Sequence, residues 1–211
     1  MKLTKYEHST LVIEKGGELL VIDPGSFTMP LSDLLGVVGI VITHEHADHW
    51  TPEQLARLLD RSPDARILGP AGVATAASGF EVETVKDGDA VEVGSFRLQF
   101  FGAKHAVIHE TVPIVDNVGV MVDDNLYYAG DSYTIPDVPV VTLAVPIGAP
   151  WLKIGDAMDY VLEIKPKRSF PVHDMVLSQV GKTMTQARIE TVTQQHGGEF
   201  FVLNPGESLE L

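Results

Sequence analysis

The feature that most constrains this chain is residues 44–49, His-Glu-His-Ala-Asp-His, which place three imidazoles and two carboxylates in six positions. Residues 39–43 (Gly-Ile-Val-Ile-Thr) stand directly before it, and such a short apolar run is typical of a buried strand. Thr51 follows as a predicted helix N-cap, with Pro52 at the first helical position and Gln54 as its partner in a capping box. The polar run therefore joins the end of a buried strand to a helix, which is where α/β folds assemble their sites.

Imidazole and carboxylate side chains at this spacing predict a site for metal ions. They are ligands that suit zinc, manganese or iron, and this ligand set does not choose among the three. Alternate side chains fan out from one short loop, so His44 and His46 can share one ion while Asp48 and His49 turn towards a second. The alternative is a polar loop that binds no metal, and the density of histidines after an apolar strand disfavours it.

Four residues cannot complete two ions, because a catalytic zinc usually has three protein ligands and a water. His105, Asp131 and His173 each follow a predicted strand by a few residues, where sites are usually assembled. His109 competes with His105 as the third ligand of the first ion, and the closer strand end favours His105.

The order of these motifs resembles that of the metallo-β-lactamase-fold hydrolase superfamily. The resemblance extends from the element Ile22-Asp23-Pro24-Gly25 to the last predicted strand. It implies an α/β (α+β) fold, an αββα four-layer sandwich with the metals at one edge between the sheets. It assigns His44, His46 and His105 to the first metal, Asp48, His49 and His173 to the second, and Asp131 to a bridge between them. Asp23 is an Asx-turn cap on local grounds, and the resemblance makes it a carboxylate that supports the histidine loop.

Within the superfamily, residues 7–14 (Glu-His-Ser-Thr-Leu-Val-Ile-Glu) and the compact length resemble the small branch of ascorbate-6-phosphate lactonase-like and uncharacterised hydrolases. We expect neither the inserted second domain of the RNA-processing nucleases nor the C-terminal helical domain of the glyoxalase II type. His46 stands where the flavodiiron oxygen reductases have glutamate, which disfavours oxygen chemistry. The chain has no cysteine, so the cysteine ligand of some true β-lactamases is impossible.

The pattern along the chain predicts hairpins first and β-α alternation later. A two-layer sheet sandwich with helices outside accommodates both. The predicted hairpin turns lie at 15–17, 94–95 and 123–125, the later helices at 154–164 and 182–195, and a closing strand at 200–203. With 211 residues and no linker composition, we expect one domain over 1–211.

Charge and composition restrict the partners. The formal net charge of −14 repels phosphate backbones, so a nucleic-acid partner is disfavoured. No run approaches the roughly 18 apolar residues of a membrane span, and the N-terminus lacks the apolar run of a signal peptide. The absence of cysteine fits a reducing compartment, so we expect a cytoplasmic protein with a small-molecule substrate, in an oligomeric state that the sequence leaves open.

These features predict a metal-dependent hydrolase with two divalent ions, Zn²⁺ in preference to Mn²⁺ or Fe²⁺. A hydroxide bridging the ions is expected to cleave a small ester, lactone or phosphoester. Asp48 is the predicted catalytic residue, because it can bind metal and also orient the water or carry its proton. The alternatives are a phosphodiesterase or nuclease, and a metal-binding scaffold without turnover.

Loops at strand ends often determine specificity, and they supply the candidates for a substrate pocket. These are His109, Tyr133, Trp151 and Lys153. Simple packing is the alternative role for Trp151. His8 and His196 are interpreted as structural or surface residues.

Overall fold

The computed structural model describes all 211 residues and arranges the strands in two seven-stranded sheets. The strands of the first sheet are β1 (Lys2–Lys5), β2 (Leu11–Lys15), β3 (Glu18–Ile22), β4 (Val37–Val41), β5 (Arg66–Gly69), β6 (Val82–Thr84) and β14 (Ser208–Glu210). Those of the second are β7 (Ala90–Val93), β8 (Phe96–Phe101), β9 (Gly119–Val122), β10 (Leu126–Tyr128), β11 (Thr142–Pro146), β12 (Arg168–Val172) and β13 (Glu199–Phe200). The spatial orders are β14-β1-β2-β3-β4-β5-β6 and β13-β12-β11-β10-β9-β8-β7.

Four helices form the outer layers of the sandwich. They are α1 (Pro52–Arg61), α2 (Ala71–Ala76), α3 (Ile154–Ile164) and α4 (Gln179–Gln194). One apolar cluster joins α1 and α2 to the first sheet, and another joins α3 and α4 to the second. The predicted αββα arrangement is therefore confirmed. None of the helices combines the length and the apolar character needed to cross a membrane.

The largest apolar cluster lies between the two sheets, and strand alternation explains how it is built. In β2, Leu11 and Ile13 belong to this central cluster, whereas Val12 belongs to the cluster under α1 and α2. In β4, Val41 faces the central cluster and Ile40 the helices. Because successive side chains of a strand point to opposite faces, apolar residues at both parities bury both faces of a sheet.

The start of α1 follows the sequence prediction with one difference. The Thr51 hydroxyl accepts the Gln54 N–H at 3.2 Å, and Pro52 is the first helical residue. A capping box also requires the Gln54 side chain to accept the backbone N–H of Thr51, and this contact is not formed. The Gln54 amide nitrogen donates to the Thr28 carbonyl at 3.0 Å, and its oxygen accepts the Leu31 N–H at 3.1 Å. Gln54 thus connects α1 to the loop that follows β3.

The predicted closing strand at 200–203 is wrong. Only Glu199–Phe200 form β13, and the last strand of the chain is β14, which pairs with β1 in the other sheet. The sequence does not predict the strands β1, β6 and β14. Each is three or four residues long and contains polar residues, so its pairing depends on partners distant in the chain.

Parallel strands in both sheets direct the chain towards one edge. β3, β4 and β5 are parallel neighbours in the first sheet, as are β10, β11 and β12 in the second. The segments that leave β3, β4, β10 and β12 contain Asp23, the histidine loop of residues 43–50, Asp131 and His173. Their side chains meet where the carboxyl ends of the two sheets face each other.

Candidate metal centre

A buried carboxylate holds the histidine loop in place. Asp23 directly follows β3 in the left-handed conformation, with φ of 50°, and its side chain is fully buried. One carboxylate oxygen accepts the Thr43 N–H at 2.8 Å. The other accepts the Thr43 hydroxyl at 2.7 Å and lies 2.6 Å from Nδ1 of His49. Asp23 therefore fixes both ends of the loop, as a supporting carboxylate does.

The buried histidine rings are oriented through Nδ1, so that Nε2 points into the centre. Nδ1 of His49 bonds Asp23, Nδ1 of His105 bonds the carbonyl of Ala106, and Nδ1 of His173 bonds the carbonyl of Gly148. The Nε2 atoms of all three rings are buried without a hydrogen-bond partner. Metal-binding histidines usually have this arrangement, with one ring nitrogen held by a carboxylate or carbonyl and the other free for the ion.

The side chains form two groups with Asp131 between them. His44, His46 and His105 offer nitrogen atoms within 4.8 Å of one another, and Nε2 of His44 lies 3.1 Å from Nδ1 of His46. The second group holds His8, Asp48, His49 and His173. The carboxylate of Asp131 has one oxygen 3.4 Å from Nε2 of His105 and 3.0 Å from Nε2 of His173. Its other oxygen lies 3.3 Å from Nε2 of His49.

Charge at the centre is shared between carboxylates and imidazoles. Burial opposes ionisation of Asp131, but contact with His49 and His173 holds the pKa of this carboxyl well below its usual range. Burial also favours neutral His173, yet the Asp131 carboxylate raises the pKa of this ring to about 9. The Asp131 carboxylate therefore stabilises positive charge next to it, and a divalent cation can supply that charge. At His44 burial dominates and lowers the pKa well below the ordinary value.

The residues fit divalent cations. Three Nε2 atoms and one oxygen of Asp131 are buried without hydrogen bonds and converge on the same space. Such atoms usually cost about 1–3 kcal/mol each when left unpaired, so native proteins seldom cluster them without a ligand. Nitrogen and carboxylate donors are also what zinc and related ions prefer.

Comparison with known proteins decides the family. Residues 2–173 match the family model described as a beta-lactamase superfamily domain. This chain belongs to the metallo-β-lactamase superfamily.

Relatives of this superfamily member cover nearly its whole length. It is 32% identical over 198 residues to Protein Rv0786c of Mycobacterium tuberculosis. The aligned region covers 92% of this chain and 93% of the relative. The UPF0173 metal-dependent hydrolase SH1218 of Staphylococcus haemolyticus is 24% identical over 99% of both chains. The structure of Igni18, a novel metallo hydrolase from Ignicoccus hospitalis, superposes with a TM-score of 0.74 at 20% identity, over 100% of this chain and 98% of the other. The predicted superfamily is confirmed, and the relatives support a metal-dependent hydrolase.

The structure distinguishes the two histidines that competed for the first group of this superfamily member. His105 is buried and its ring centroid lies 4.9 Å from that of His44 and 4.8 Å from that of His46. His109 is exposed, and its Nδ1 lies 2.8 Å from the Thr111 hydroxyl. The geometry therefore favours His105 as the third ligand.

The four residues suggested for the substrate pocket lie in different surroundings. Trp151 borders the centre and donates its indole N–H to Asp131 at 2.7 Å. The ring of Tyr133 packs against Trp151 with centroids 5.2 Å apart. Lys153 is directed to solvent, with a side chain 79% exposed and an ion pair to Asp156 at 3.3 Å. His109 lies on an exposed loop. Of the four pocket candidates, Trp151 contacts the centre directly and Tyr133 contacts Trp151.

His8 is a residue of the centre, which corrects its interpretation as structural or surface. Its side chain is fully buried, and Nε2 lies 3.2 Å from a carboxylate oxygen of Asp48. Burial lowers the pKa of His8 to about 4. The signal was missed because β1 was not recognised, so His8 did not look like a strand-end residue. His196 is exposed at the end of α4, as expected.

Proposed function

We propose that this chain is a hydrolase with two divalent ions, preferably Zn²⁺, that cleaves small esters or lactones. The observation that carries the proposal is the convergence of buried, unpaired ring nitrogens and carboxylate oxygen on one space. The first ion would be held by His44, His46 and His105, the second by Asp48, His49 and His173, with Asp131 between them. Mn²⁺ and Fe²⁺ suit the same donors.

A bound pair of such ions supplies Lewis acidity, which makes water nucleophilic at neutral pH and balances charge on a developing oxyanion. Asp48 is the group best placed to move the proton. Its side chain is 26% exposed, whereas that of Asp131 is 4% exposed and that of Asp23 fully buried. Burial raises the pKa of Asp48, but the close contacts with His173 and His8 outweigh it and keep the carboxylate ionised. An ionised carboxylate that solvent can reach can accept a proton from water and pass it to the leaving group.

The charge around the centre favours a carbonyl substrate over a phosphate one. Phosphate recognition generally relies on free arginine or lysine side chains. Three lysines of the loops and helices around the centre each pair with a carboxylate: Lys104 with Asp116, Lys153 with Asp156 and Lys182 with Asp174. The net charge of −14 acts in the same direction. A small ester or lactone needs no cation beyond the metal ions, and the rings of Trp151 and Tyr133 offer it an apolar wall.

The test is hydrolysis by the zinc-loaded protein of p-nitrophenyl acetate, γ-butyrolactone and bis-p-nitrophenyl phosphate. We expect turnover of the carbonyl substrates, and a loss of at least about 100-fold in Asp48→Ala because general acid–base groups contribute about 10²–10⁴-fold. Asp64→Ala, at an exposed aspartate with no side-chain partner, is the matched control and should keep wild-type turnover. A phosphodiester cleaved faster than both carbonyl substrates would replace the proposal with a phosphodiesterase. Equal turnover in Asp48→Ala and wild type would show that Asp48 has no role in proton transfer.

A further inference from the structure

His8 is attached to the candidate centre through three polar contacts that join three segments of the chain. Nε2 lies 3.2 Å from Asp48 in the histidine loop. Nδ1 accepts the backbone N–H of Met175 at 3.3 Å. The His8 carbonyl accepts the backbone N–H of His173 at 2.9 Å. The turn between β1 and β2 is thereby tied both to the histidine loop and to the loop after β12.

These contacts determine the tautomer of the His8 ring. A backbone N–H can only donate, so Nδ1 of His8 must be the unprotonated nitrogen that receives it. In a neutral imidazole the proton then lies on Nε2, which donates it to the carboxylate of Asp48. Both ring nitrogens are occupied, so neither has a lone pair free for a metal ion. His8 therefore differs from His49, His105 and His173, whose Nε2 atoms are free.

The surroundings of His8 hold the ring in this orientation. Its side chain is fully buried, and its ring lies 3.9 Å from that of His173, centroid to centroid. Phe27 packs edge-on against it at 5.0 Å. His8 and His173 both adopt the left-handed backbone conformation, with φ of 58° and 55°. Non-glycine residues adopt this conformation at a cost, and such residues concentrate at functional sites.

We propose that His8 is a positioning residue of the metal centre, which orients Asp48 through an Nε2–H donor and fixes His173 through its own backbone. This inference rests on the proposed function, because its consequence is a tighter hold on the ion shared by Asp48, His49 and His173. Partners that orient metal ligands are generally worth about 10- to 100-fold in metal affinity.

Two variants separate the contacts of His8. In His8→Gln the side-chain amide nitrogen reaches the position of Nε2 and can still donate to Asp48. In His8→Asn the side-chain oxygen takes the position of Nδ1 and can still accept the Met175 N–H, but nothing reaches Asp48. Asparagine also tolerates the left-handed backbone, so His8→Asn should fold.

The experiment is competition for Zn²⁺ between the protein and a chromophoric chelator, with bound zinc counted per chain. We expect two ions in all three proteins, with the weaker ion bound about 10- to 100-fold less tightly in His8→Asn and close to wild type in His8→Gln. Wild-type affinity in His8→Asn would overturn the positioning role. One ion per chain in both variants would overturn it too, since His8 would then be a ligand.

A measurement on the wild-type protein keeps the inference testable should a variant not fold. Long-range ¹H–¹⁵N correlation of the metal-free protein reports the tautomer of each imidazole, and the His8 ring is assigned through its connection to the sequentially assigned backbone. We expect the Nε2–H tautomer, and an Nδ1–H tautomer would overturn the inference. Wild-type protein that takes up no zinc would instead count against the proposed function, while the tautomer still decides the contacts of His8.

Discussion

At the end of the sandwich away from the candidate metal centre, polar side chains are partly exposed and paired, whereas at the candidate centre they are buried and partly unpaired. Lys15, at the end of β2, lies 2.7 Å from Asp123 and donates to the Ser95 carbonyl at 2.6 Å. These contacts join the two sheets at a partly solvent-exposed end of the sandwich. At the other edge, His49 and Asp131 also join the two sheets, yet Nε2 of His49 and one Asp131 oxygen have no hydrogen bond.

The backbone shows the same contrast. Away from the centre, Asp123 and Asp124 adopt the left-handed conformation in a hairpin turn, which is an ordinary use of it. At the centre, Asp23, His8 and His173 adopt it and each contributes a side chain to the site or to its support. The difference teaches that the metal-centre end is arranged for a ligand. At the other end, the charged side chains of Lys15 and Asp123 are already paired with each other.

The largest effect should come from removing charge at the centre. Asp131→Asn keeps the shape of the side chain but removes the carboxylate that lies between the two groups. We expect zinc affinity to fall by more than about 100-fold, since even the outer partners of metal ligands are worth about 10- to 100-fold. Asp123→Asn makes the same change at the opposite end and should leave zinc binding unchanged. Chelator competition measures both, and equal affinities in the two variants would erase the contrast between the ends.

An intermediate effect is expected from a methyl group placed against the histidine loop. A Cβ at Gly25 would overlap the backbone carbonyl of Asp48. Because the clash is with backbone, Gly25→Ala should lower the free energy of unfolding by about 1–3 kcal/mol and loosen zinc binding. Gly79 has no atom within 4 Å of an added Cβ, so Gly79→Ala should be neutral or stabilising by up to about 1 kcal/mol. Urea titration with and without zinc tests the pair, and a neutral Gly25→Ala would show that the loop tolerates displacement.

The smallest effect is expected at the far edge. Lys15→Met removes the ion pair with Asp123. The side chain of Lys15 is 38% exposed and that of Asp123 is 18% exposed. Partly exposed pairs contribute little, so the free energy of unfolding should fall by less than about 1 kcal/mol, with zinc affinity unchanged. A larger loss would mean that the far edge holds the sheets together as firmly as the centre does.

The sequence predicted the features that depend on near neighbours in the chain. The N-cap of α1 at Thr51, the bounds of α3 and the hairpin turn at 123–125 follow from short-range chemistry. The histidine loop was recognised for the same reason, because its donors are adjacent. Strand-end positions then located His105 and Asp131, which the fold brings to within 3.4 Å of each other.

The missed features depend on partners far apart in the chain. β1 pairs with β14, so Leu3 lies opposite Leu209, and neither segment has a strong strand pattern alone. Because β1 is not predicted, the sequence does not indicate that His8 follows a strand and lies at the centre. The bond from Trp151 to Asp131 depends on two loops leaving adjacent strands, β10 and β11, which the spacing of the residues does not reveal.

The most direct test of the central claim is elemental analysis of protein purified without chelator, followed by titration with Zn²⁺. We predict close to two equivalents of divalent metal per chain, because the candidate donors form two groups with Asp131 between them. We also predict that Asp131→Asn retains less than the wild type. Protein that contains no metal and takes none up on titration would contradict the account, since its buried nitrogens and carboxylates would then have no ligand to explain them.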